Sequence, residues 1–373
     1  MQIDYVVPFF YPNLGGTESN VWNVSRWMAS KGHTVIVNTS DYSFDHIKLP
    51  MKESVDGVEI RRYRLYPGPQ IFPKLPLENK QEVIHVHSFG MNPNVLEIMR
   101  ARNRNSVFTP HAMFMGNAYK LVSKRLMGKM LLSFKFIFAQ TENERFFLVD
   151  ALKIPHNRVV VMPPGLNNTN FKIAFCDRRE LFDSFGWIGN FDYFVSLGRV
   201  VSIKNVWVGI RALTLLPKQI HYVISGPLYD KYTYINSLAL ANRLGLSDRV
   251  HFTGAVGEER KRQLLYNATL YLASGYEAYS IAALEAKALG VPVVAANWFG
   301  LSEVVRDQET GLLFEYCNPN SAATCINTLI SDKLLRLKLA FNGRNEAWNK
   351  NRWDFICARL EEMYTKLVSN SIS

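Results

Sequence analysis

The sequence predicts an α/β chain with two parallel-sheet domains, and three observations lead to that prediction. The 373 residues exceed what one small hydrophobic core organises, so two domains are expected. Short apolar runs alternate with helical patterns in both halves, which is typical of βαβ units. Hydrophobic residues make up 48% of the chain, a fraction that favours folded cores over disorder.

Composition and charge limit the possible partners and the compartment. The formal net charge of +11 suggests an anionic partner: nucleic acid, a membrane surface or a phosphorylated ligand. The cysteines lack C-x-x-C spacing and are expected to be reduced and buried: Cys176, Cys317, Cys325 and Cys357. Residues 1–4 do not resemble a signal peptide, and no apolar run is long enough to span a bilayer. We therefore expect a cytoplasmic protein, either soluble or attached peripherally to the inner face of the membrane.

The chain opens with a βαβ pattern. A strand is predicted over residues 3–7, a helix capped by Thr17 and running to about residue 30, and a second strand over residues 34–38. Gly15 and Gly16 precede the helix, and paired glycines allow a ligand to approach the backbone closely, although they are also common in turns. The spacing is not G-x-G-x-x-G, which argues against a nicotinamide enzyme.

Further strands complete a first domain over residues 1–167. They are predicted at residues 58–65, 83–87, 106–109, 136–140 and 158–162, and a linker is expected within residues 167–190. His85 and His87 fall on one face of their strand. This pair invites a metal interpretation, but without a third ligand at a defined spacing a structural role is favoured.

Residues 119–134 combine basic and apolar side chains at helical spacing. Two interpretations remain open for this segment: an ordinary surface helix with a solvated basic face, and a basic amphipathic helix on anionic lipid. The basic residues concerned are Lys120, Lys124, Arg125 and Lys129.

The second half predicts another parallel domain over residues 188–345. Strands are expected at residues 191–197, 220–225, 250–253, 270–273 and 291–295, with helices between them. After Pro319 the chain is predicted to be helical, with a final helix over about residues 348–373 that joins the first domain. Its aromatic face is expected to comprise Trp348, Trp353, Phe355 and Tyr364.

Polar residues gather where the strands of the second domain end. Arg199 and Lys204 follow one strand directly, and two cations at such a place suit a diphosphate, although isolated cations in loops are usually solvated. Gly226, Val256 and Glu277 follow other strands. Ligands of open parallel sheets bind outside the carboxyl ends of the strands, so a ligand is expected there.

The stretch over residues 275–294 is the most informative part of the chain. Ser280 is the predicted N-cap of a helix from Ile281 to residue 289 that Gly290 ends. The N–H groups of a helix N-terminus suit a phosphate. Glu277 precedes that terminus, and Glu285 lies about a turn and a half inside the helix, where it can accept both hydroxyls of a ribose. The arrangement fits a nucleotide-sugar.

The extended string resembles glycosyltransferase family 4 of the GT-B fold. The pattern E-G-F-G-x-x-x-x-E-A-x-A-x-G-x-P-V-V corresponds to residues 277–294, and its G-x-x-E-V-V continuation to residues 300–305. The resemblance covers nearly the whole chain and is closest over residues 198–313. Ala278 and Ser280 depart from it, since the family usually has glycines there.

The resemblance implies a fold, a reaction and residue roles. The fold is two Rossmann-like domains facing across a cleft. The reaction is retaining transfer of a hexosyl unit from a UDP- or GDP-sugar to a hydroxyl of a glycan or lipid-linked acceptor, with no metal or other cofactor. Arg199 and Lys204 would hold the diphosphate with the N–H groups near Ser280 and Ile281. Contacts to the rest of the donor would come from Glu277 and His111 (sugar), Glu285 (ribose), and Gly15 and Gly16 (near the phosphates and the acceptor).

Two other classes stay open on the sequence alone. One is another GT-B enzyme, either a nucleotide-sugar epimerase or a glycogen-type synthase, the latter usually longer. The other is a non-enzymatic basic module that binds membrane or polyanion. RNA binding should leave aromatic and basic platforms on strands, and none is apparent, so nucleic acid is not expected as a partner.

Overall fold

A computed structural model describes residues 1–13, 15–42, 47–64, 82–88, 105–111, 124–166, 185 and 191–369. The chain divides into two units: Met1–Gly165 with Trp353–Ser373, and Leu166–Arg352. The domain limits expected from the sequence were residues 1–167 and 188–345, with a returning helix from about residue 348. The predicted linker lies almost wholly outside the described residues.

The first unit contains a largely parallel sheet. In the described residues its strand order is β3-β4-β2-β1-β5-β6-β7-β8, and only the β3–β4 pair is antiparallel. The strands are β1 Gln2–Val6, β2 Thr34–Ser40, β3 Lys52–Val55, β4 Val58–Tyr63, β5 Val83–His87, β6 Ser106–Thr109, β7 Phe136–Ala139 and β8 Val159–Val161. The short edge strand β3 was not predicted, because its sequence, Lys-Glu-Ser-Val, has little apolar character.

Helices cover both faces of this sheet, as parallel sheets require. They are α1 Gly16–Ser30, α2 Lys124–Leu131, α3 Glu142–Phe146 followed by a π-helical turn Phe147–Ala151, and the C-terminal α11 Trp353–Ser369. Ile3 and Tyr5 of β1 pack on the α1 and α11 side, and Val6 packs on the α2 side. Thr141 caps α3: its Oγ1 accepts from the Glu144 amide.

The second unit contains an all-parallel sheet. The described strand order is β11-β10-β9-β12-β13-β14. The strands are β9 Asp192–Leu197, β10 Ile220–Ser225, β11 Val250–Gly254, β12 Leu270–Ala273, β13 Val293–Asn297 and β14 Leu312–Glu315. Numbered within the unit, this is the 3-2-1-4-5-6 order of the doubly wound dinucleotide-binding fold, with a switch point between β9 and β12.

Helices connect the strands of this unit in its described part. They are α4 Val206–Ala212, α5 Lys231–Arg243, α6 Glu258–Tyr266, α7 Ile281–Ala288, α8 Leu301–Val304, α9 Pro319–Ser331 and α10 Lys333–Lys350, with the 3₁₀ turn Leu213–Leu215 extending α4. The core consists of apolar strand residues such as Val195 and Leu272, with the inner faces of α4, α7 and α9.

Three details of the sequence prediction are wrong. The predicted aromatic face of the last helix includes Trp348, which lies in α10 and donates to the Ala288 carbonyl, and Phe355, which is exposed. The described cysteines are not all buried, because only Cys357 is, while Cys317 is exposed; Cys176 lies outside the described residues. The strand expected at residues 291–295 is β13, displaced by two residues because the segment after Gly290 first closes the helix.

Candidate functional site

A pocket lies at the switch point of the second unit. Its lining comes mainly from the segments that follow β9 and β12, the two strands at which the direction of strand succession reverses. Crevices outside the carboxyl ends of strands at such a point are the usual ligand sites of doubly wound sheets. Among the predicted site residues, the lining includes Arg199, Lys204 and Glu277.

The loop after β9 forms one wall of the pocket. Gly198 has φ +129°, and its amide donates to the Ser225 carbonyl at 2.9 Å. Gly226 has φ +147°, and a Cβ there would lie 2.1 Å from the Gly198 carbonyl oxygen. The backbones of the loops after β9 and β10 are therefore in direct contact, and residue 226 has no room for a side chain.

Arg199 is exposed, and an aromatic ring lies beside it. Its guanidinium carbon is 5.3 Å from the ring centroid of Tyr229, which belongs to the loop after β10. The two loops are also joined by backbone hydrogen bonds, from Val200 to the Pro227 carbonyl and from Asp230 to the Val200 carbonyl. The cation–π contact favours a defined position of the guanidinium at the pocket.

The loop after β12 forms the opposite wall. Oε2 of Glu277 is 2.9 Å from Nζ of Lys204, and both side chains are largely shielded, 13% and 24% exposed. The Tyr276 amide donates to the Ile203 carbonyl at 2.7 Å, and a Cβ on Gly275 would be 3.1 Å from Cα of Lys204. The two walls therefore touch through backbone atoms, and the carboxylate is held against the ammonium.

The segment after Glu277 contacts the Gly300 segment. A Cβ at Gly300 would lie 1.6 Å from the Ala278 carbonyl oxygen, so only glycine fits at residue 300. The side chain of Ala278, one of the two departures from the family pattern, is buried in this packing. The loop accommodates alanine there without a positive φ.

Helix α7 begins as the sequence predicted. Ser280 is its N-cap and its hydroxyl accepts from the Ala283 amide at 3.3 Å. Ile281 is the first helical residue, so the first amides of the helix lie next to the Glu277 loop. Tyr271, which lines the pocket, is hydrogen-bonded to Ser280 and couples the cap to the pocket floor.

Glu285 is largely buried and paired with a cation that the sequence did not identify. Its Oε1 is 3.0 Å from Nζ of Lys261 on α6, and the same ammonium is 2.8 Å from Glu258. Burial raises the pKa of Glu285, and the Lys261 charge opposes that rise. The two carboxylates raise the pKa of Lys261, against its own burial.

Val256 lies in the loop between β11 and α6 and is half-buried, packed against the hydrophobic core. The Gly226 amide donates to the Gly254 carbonyl at 2.9 Å, so the loops after β9, β10 and β11 form one continuous rim. The predicted donor-binding residues of the second unit thus all lie along the carboxyl edge of this sheet or at α7.

In the first unit, the glycine pair lies at the start of α1. The N-cap is Gly15, and the helix begins at Gly16, so Thr17 is inside the first turn and the predicted Thr17 cap is wrong. A Cβ on Gly15 would lie 2.5 Å from Oε2 of Glu18, the end of a flexible side chain. The switch point of this sheet lies between β1 and β5, and the glycine segment follows β1 along the chain.

Three histidines of the first unit, His85, His87 and His111, form a cluster, which sequence reasoning missed as a whole. The rings of His85 and His87 lie 3.9 Å apart, and Nδ1 of His87 is 2.9 Å from Nε2 of His111. Thr109 and Tyr364 bind the two ring nitrogens of His85. His111 is partly exposed, yet desolvation lowers its pKa to about 3, with a hydrogen bond to Gln140 opposing. Desolvation also holds the pKa of His85 and His87 well below the usual value.

The side chains of this cluster are not arranged as a metal centre. Across the described ranges, no group of three or more His, Cys, Asp or Glu side chains is arranged to hold a metal ion. The structural interpretation of His85 is supported by its two hydrogen bonds, which occupy both ring nitrogens.

The basic segment of the first unit is described only from residue 124 onward. There it forms α2, with Lys124, Arg125 and Lys129 outside and Met127 and Leu131 buried. Lys120 lies outside the described residues. Leu126 is 53% exposed. In the part of the chain that the structure describes, no helix is both long and apolar enough to cross a bilayer.

Two family models match the chain. "Glycosyltransferase Family 4" matches residues 14–169, and "Glycosyl transferases group 1" matches residues 177–346. Between them they cover the body of both units. The chain is a family 4 glycosyltransferase. The match decides against the non-enzymatic polyanion-binding alternative.

Curated relatives of this glycosyltransferase agree with the assignment. An uncharacterized glycosyltransferase of Methanocaldococcus jannaschii is 24% identical, covering 96% of this chain and 97% of that protein. A D-inositol 3-phosphate glycosyltransferase of Salinispora arenicola is 32% identical, over 62% of this chain and 55% of the relative. One subunit of the human phosphatidylinositol N-acetylglucosaminyltransferase is 23% identical, over 98% of this chain and 76% of the relative.

Solved structures establish the fold of the glycosyltransferase as GT-B. Sucrose-phosphate synthase from Thermosynechococcus elongatus superposes with a TM-score of 0.83 at 18% identity, covering 99% of both chains. HepE of Anabaena, solved with UDP-glucose, gives a TM-score of 0.79 at 20% identity, covering 98% of this chain and all of that one.

Sequence reasoning missed two residues of the candidate site in this glycosyltransferase. Lys261 is spaced from Glu258 for an ordinary i,i+3 helix pair, and nothing in the sequence connects it to Glu285, 24 residues away. Tyr229 follows a Gly-Pro turn, a signal that a loop is present but not which side chain the loop contacts.

Proposed function

We propose that the enzyme transfers a hexosyl unit, with retention, from a UDP- or GDP-sugar to a hydroxyl of a glycan or lipid-linked acceptor. The observation that supports this most directly is the Lys204–Glu277 pair at the switch-point pocket, beside Arg199 and the start of α7. The proposal assigns the donor diphosphate to the cations and the helix amides, and the ribose to Glu285.

The ion pair suggests how the donor enters. A diphosphate is a stronger partner for Lys204 than one carboxylate, because it brings more negative charge to the same ammonium. Once Lys204 binds the diphosphate, Glu277 is released to accept hydrogen bonds from sugar hydroxyls. The diphosphate gains charge as the glycosidic bond breaks, so Arg199 and Lys204 bind the transition state more tightly than the ground state.

The donor and acceptor classes rest on relatives. HepE was solved with UDP-glucose, which supports a UDP-sugar, and the relatives named for inositol phosphate and phosphatidylinositol support an acceptor with a polyol or lipid-borne hydroxyl. The proposal includes a metal-independent reaction, since the cationic pocket provides the charge that a divalent ion would otherwise supply. Peripheral attachment through α2 belongs to the same proposal.

The test is a panel of UDP- and GDP-sugars scored by nucleotide release, with and without lipid-linked acceptors. Arg199→Ala and Lys204→Ala should each reduce kcat/KM by about 10²–10³, the usual effect of losing one charged contact to a developing anion. Wild-type turnover in the double variant would show that the diphosphate binds elsewhere. Nucleotide release that no acceptor stimulates, with a rearranged sugar as product, would support the epimerase alternative.

The role of His111 is tested separately. Its pKa of about 3 keeps the imidazole neutral at physiological pH, so His111 brings no charge to a ligand, and its Nε2 is hydrogen-bonded to His87. His111→Asn retains a donor and an acceptor and should keep more activity than His111→Ala. Equal activity of both variants and the parent would remove His111 from the site.

A further inference from the structure

The outer face of α10 exposes three large apolar side chains. Leu334 is 81% exposed, Leu337 55% and Phe341 65%. They are spaced i, i+3 and i+7, so at about 100° per residue they form one stripe along the helix. The opposite face packs into the unit through Leu339, Ala340, Gly343 and Ala347. We refer to Leu334, Leu337 and Phe341 as the outer stripe.

Cations flank the outer stripe on both sides. Lys338 lies on one side of it, and Lys333 and Arg344 lie on the other, by the same helical spacing, and all three are exposed. An apolar stripe between two rows of Lys or Arg is the arrangement of a helix that lies in the plane of a lipid interface. The long side chains can extend toward phosphates while the stripe enters the acyl boundary.

The acids of this region are already engaged. Residues 319–350 contain Lys333, Arg336, Lys338, Arg344 and Lys350, against Asp332 and Glu346. Asp332 accepts the Leu335 amide as the N-cap of α10. Glu346 is within 3.1 Å of three cations, Lys287, Arg306 and Lys350. The field outside the helix is therefore positive.

The size of the stripe argues against a second copy of the chain as its occupant. Three such side chains expose on the order of 400 Å², about half of what each partner buries in a stable dimer. Like charges on both copies would also face each other across a symmetric interface. Neither objection applies to an anionic bilayer. We propose that the outer stripe and its flanking cations bind the headgroup region of an anionic lipid bilayer.

The test is co-sedimentation of the full chain with phosphatidylcholine vesicles, with and without phosphatidylglycerol. Binding is expected only with the anionic lipid, weakening as salt rises. Replacing Lys333, Lys338 and Arg344 by Glu should weaken partition at least about a hundredfold, since each basic side chain near an anionic surface contributes about fivefold and the new carboxylates are repelled. Replacing the outer stripe by Ser should abolish it. Donor turnover without vesicles should not change in either variant.

A matched control is available on α5. Tyr232, Ile235 and Leu238 are exposed at 75%, 50% and 40%, and α5 carries two cations, Lys231 and Arg243, against five on α10. Replacing the three apolar residues by Ser should leave vesicle binding unchanged, because the proposed lipid surface lies on α10. A second comparison replaces Lys124, Arg125 and Lys129 on α2 by Glu. It distinguishes lipid binding by the α10 surface from lipid binding by the basic helix of the first unit.

Several results would overturn the proposal. One is absence of binding to anionic vesicles at low salt, and another is parent-like binding by both α10 variants with unchanged melting curves. If the α5 control variant loses as much vesicle binding as the α10 variants, the binding is not specific to the α10 surface. A concentration-dependent dimer in light scattering, lost when the outer stripe is changed, would identify a second copy of the chain as the occupant.

Discussion

Replacing Lys261 by Met tests whether this residue keeps Glu285 ionised for the ribose. Nζ lies 3.0 Å from Oε1 of Glu285, and both side chains are about one-fifth exposed. At an effective dielectric constant of 20, charges at that distance attract by about 5 kcal/mol before the cost of desolvation, so this figure is an upper limit. Burial alone raises the pKa of Glu285, and Lys261 limits the rise.

The direction of the expected pH shift depends on which protonation state of Glu285 binds ribose. The carboxylate accepts two hydroxyl hydrogen bonds, whereas the acid has one oxygen occupied by a proton. Removing Lys261 raises the pKa of Glu285 further. Glu258 then repels the carboxylate without a shared cation, and Arg262 is the remaining positive charge acting on it. The acid limb of kcat/KM for the donor should therefore move to higher pH by about 1–3 units, the usual effect of one adjacent opposite charge.

The assay is a pH profile of nucleotide release at subsaturating donor. Lys261→Arg keeps the charge and should leave the profile nearly unchanged. Glu258→Gln removes a charge that raises the pKa of Glu285, so the limb should move to lower pH. If the acid limb of the Lys261→Met profile does not move while Glu285→Ala still loses activity, Lys261 does not control the pKa of Glu285. The proposed ribose contact would remain intact. Parent-like activity in Glu285→Ala would instead refute the ribose contact.

Three further predictions concern the metal, the packing of the loops and the histidine cluster. Nucleotide release should persist in excess EDTA, and complete loss that manganese restores would contradict the metal-free reaction. Gly300→Ala should destabilise the second unit by about 1–3 kcal/mol or more, because the new Cβ would overlap the Ala278 carbonyl; Gly257→Ser, in open space at the α6 N-cap, should be neutral or stabilising in the same thermal melts. Since the pKa of His111 is lowered to about 3 from 6.5, its stability contribution is complete above pH 6.5 and falls as the pH drops toward 3, by about 1.4 kcal/mol per pH unit. In urea titrations, the difference in unfolding free energy between the parent and His111→Asn should vary with pH in that window and be constant above it.

Much of the fold was predictable because it depends on local patterns. The alternation of apolar runs and helical periodicity identified the described strands other than β3 and β14, and the α7 cap at Ser280 followed from residue type alone. The predicted ends of helices and strands were less accurate where backbone geometry decides them. The glycine at residue 15, not Thr17, caps α1, because the helical backbone already begins at Gly16. The edge strand β3 has no apolar alternation to reveal it.

For the candidate site, too, the sequence predicted some features and not others. Residue types and the family string determined the positions of Arg199, Lys204, Glu277 and Glu285, because each lies next to a recognisable strand end or helix start. The sequence could not show that Glu277 pairs with Lys204, or that the three histidines share one cluster. Those pairs join segments that are distant in the chain, and only strand order brings them together.

The sequence by itself therefore determined the chemical groups, the two sheets and the family. The tertiary structure decided the partners of those groups and their ionisation. Glu285 illustrates the difference: its place in α7 is local, but its pKa depends on burial and on Lys261, which reaches it from another helix. Periodicity and capping act over one or two turns of chain, whereas desolvation and Coulomb interactions act through space between segments, so they exist only after the sheet has set the order of its strands.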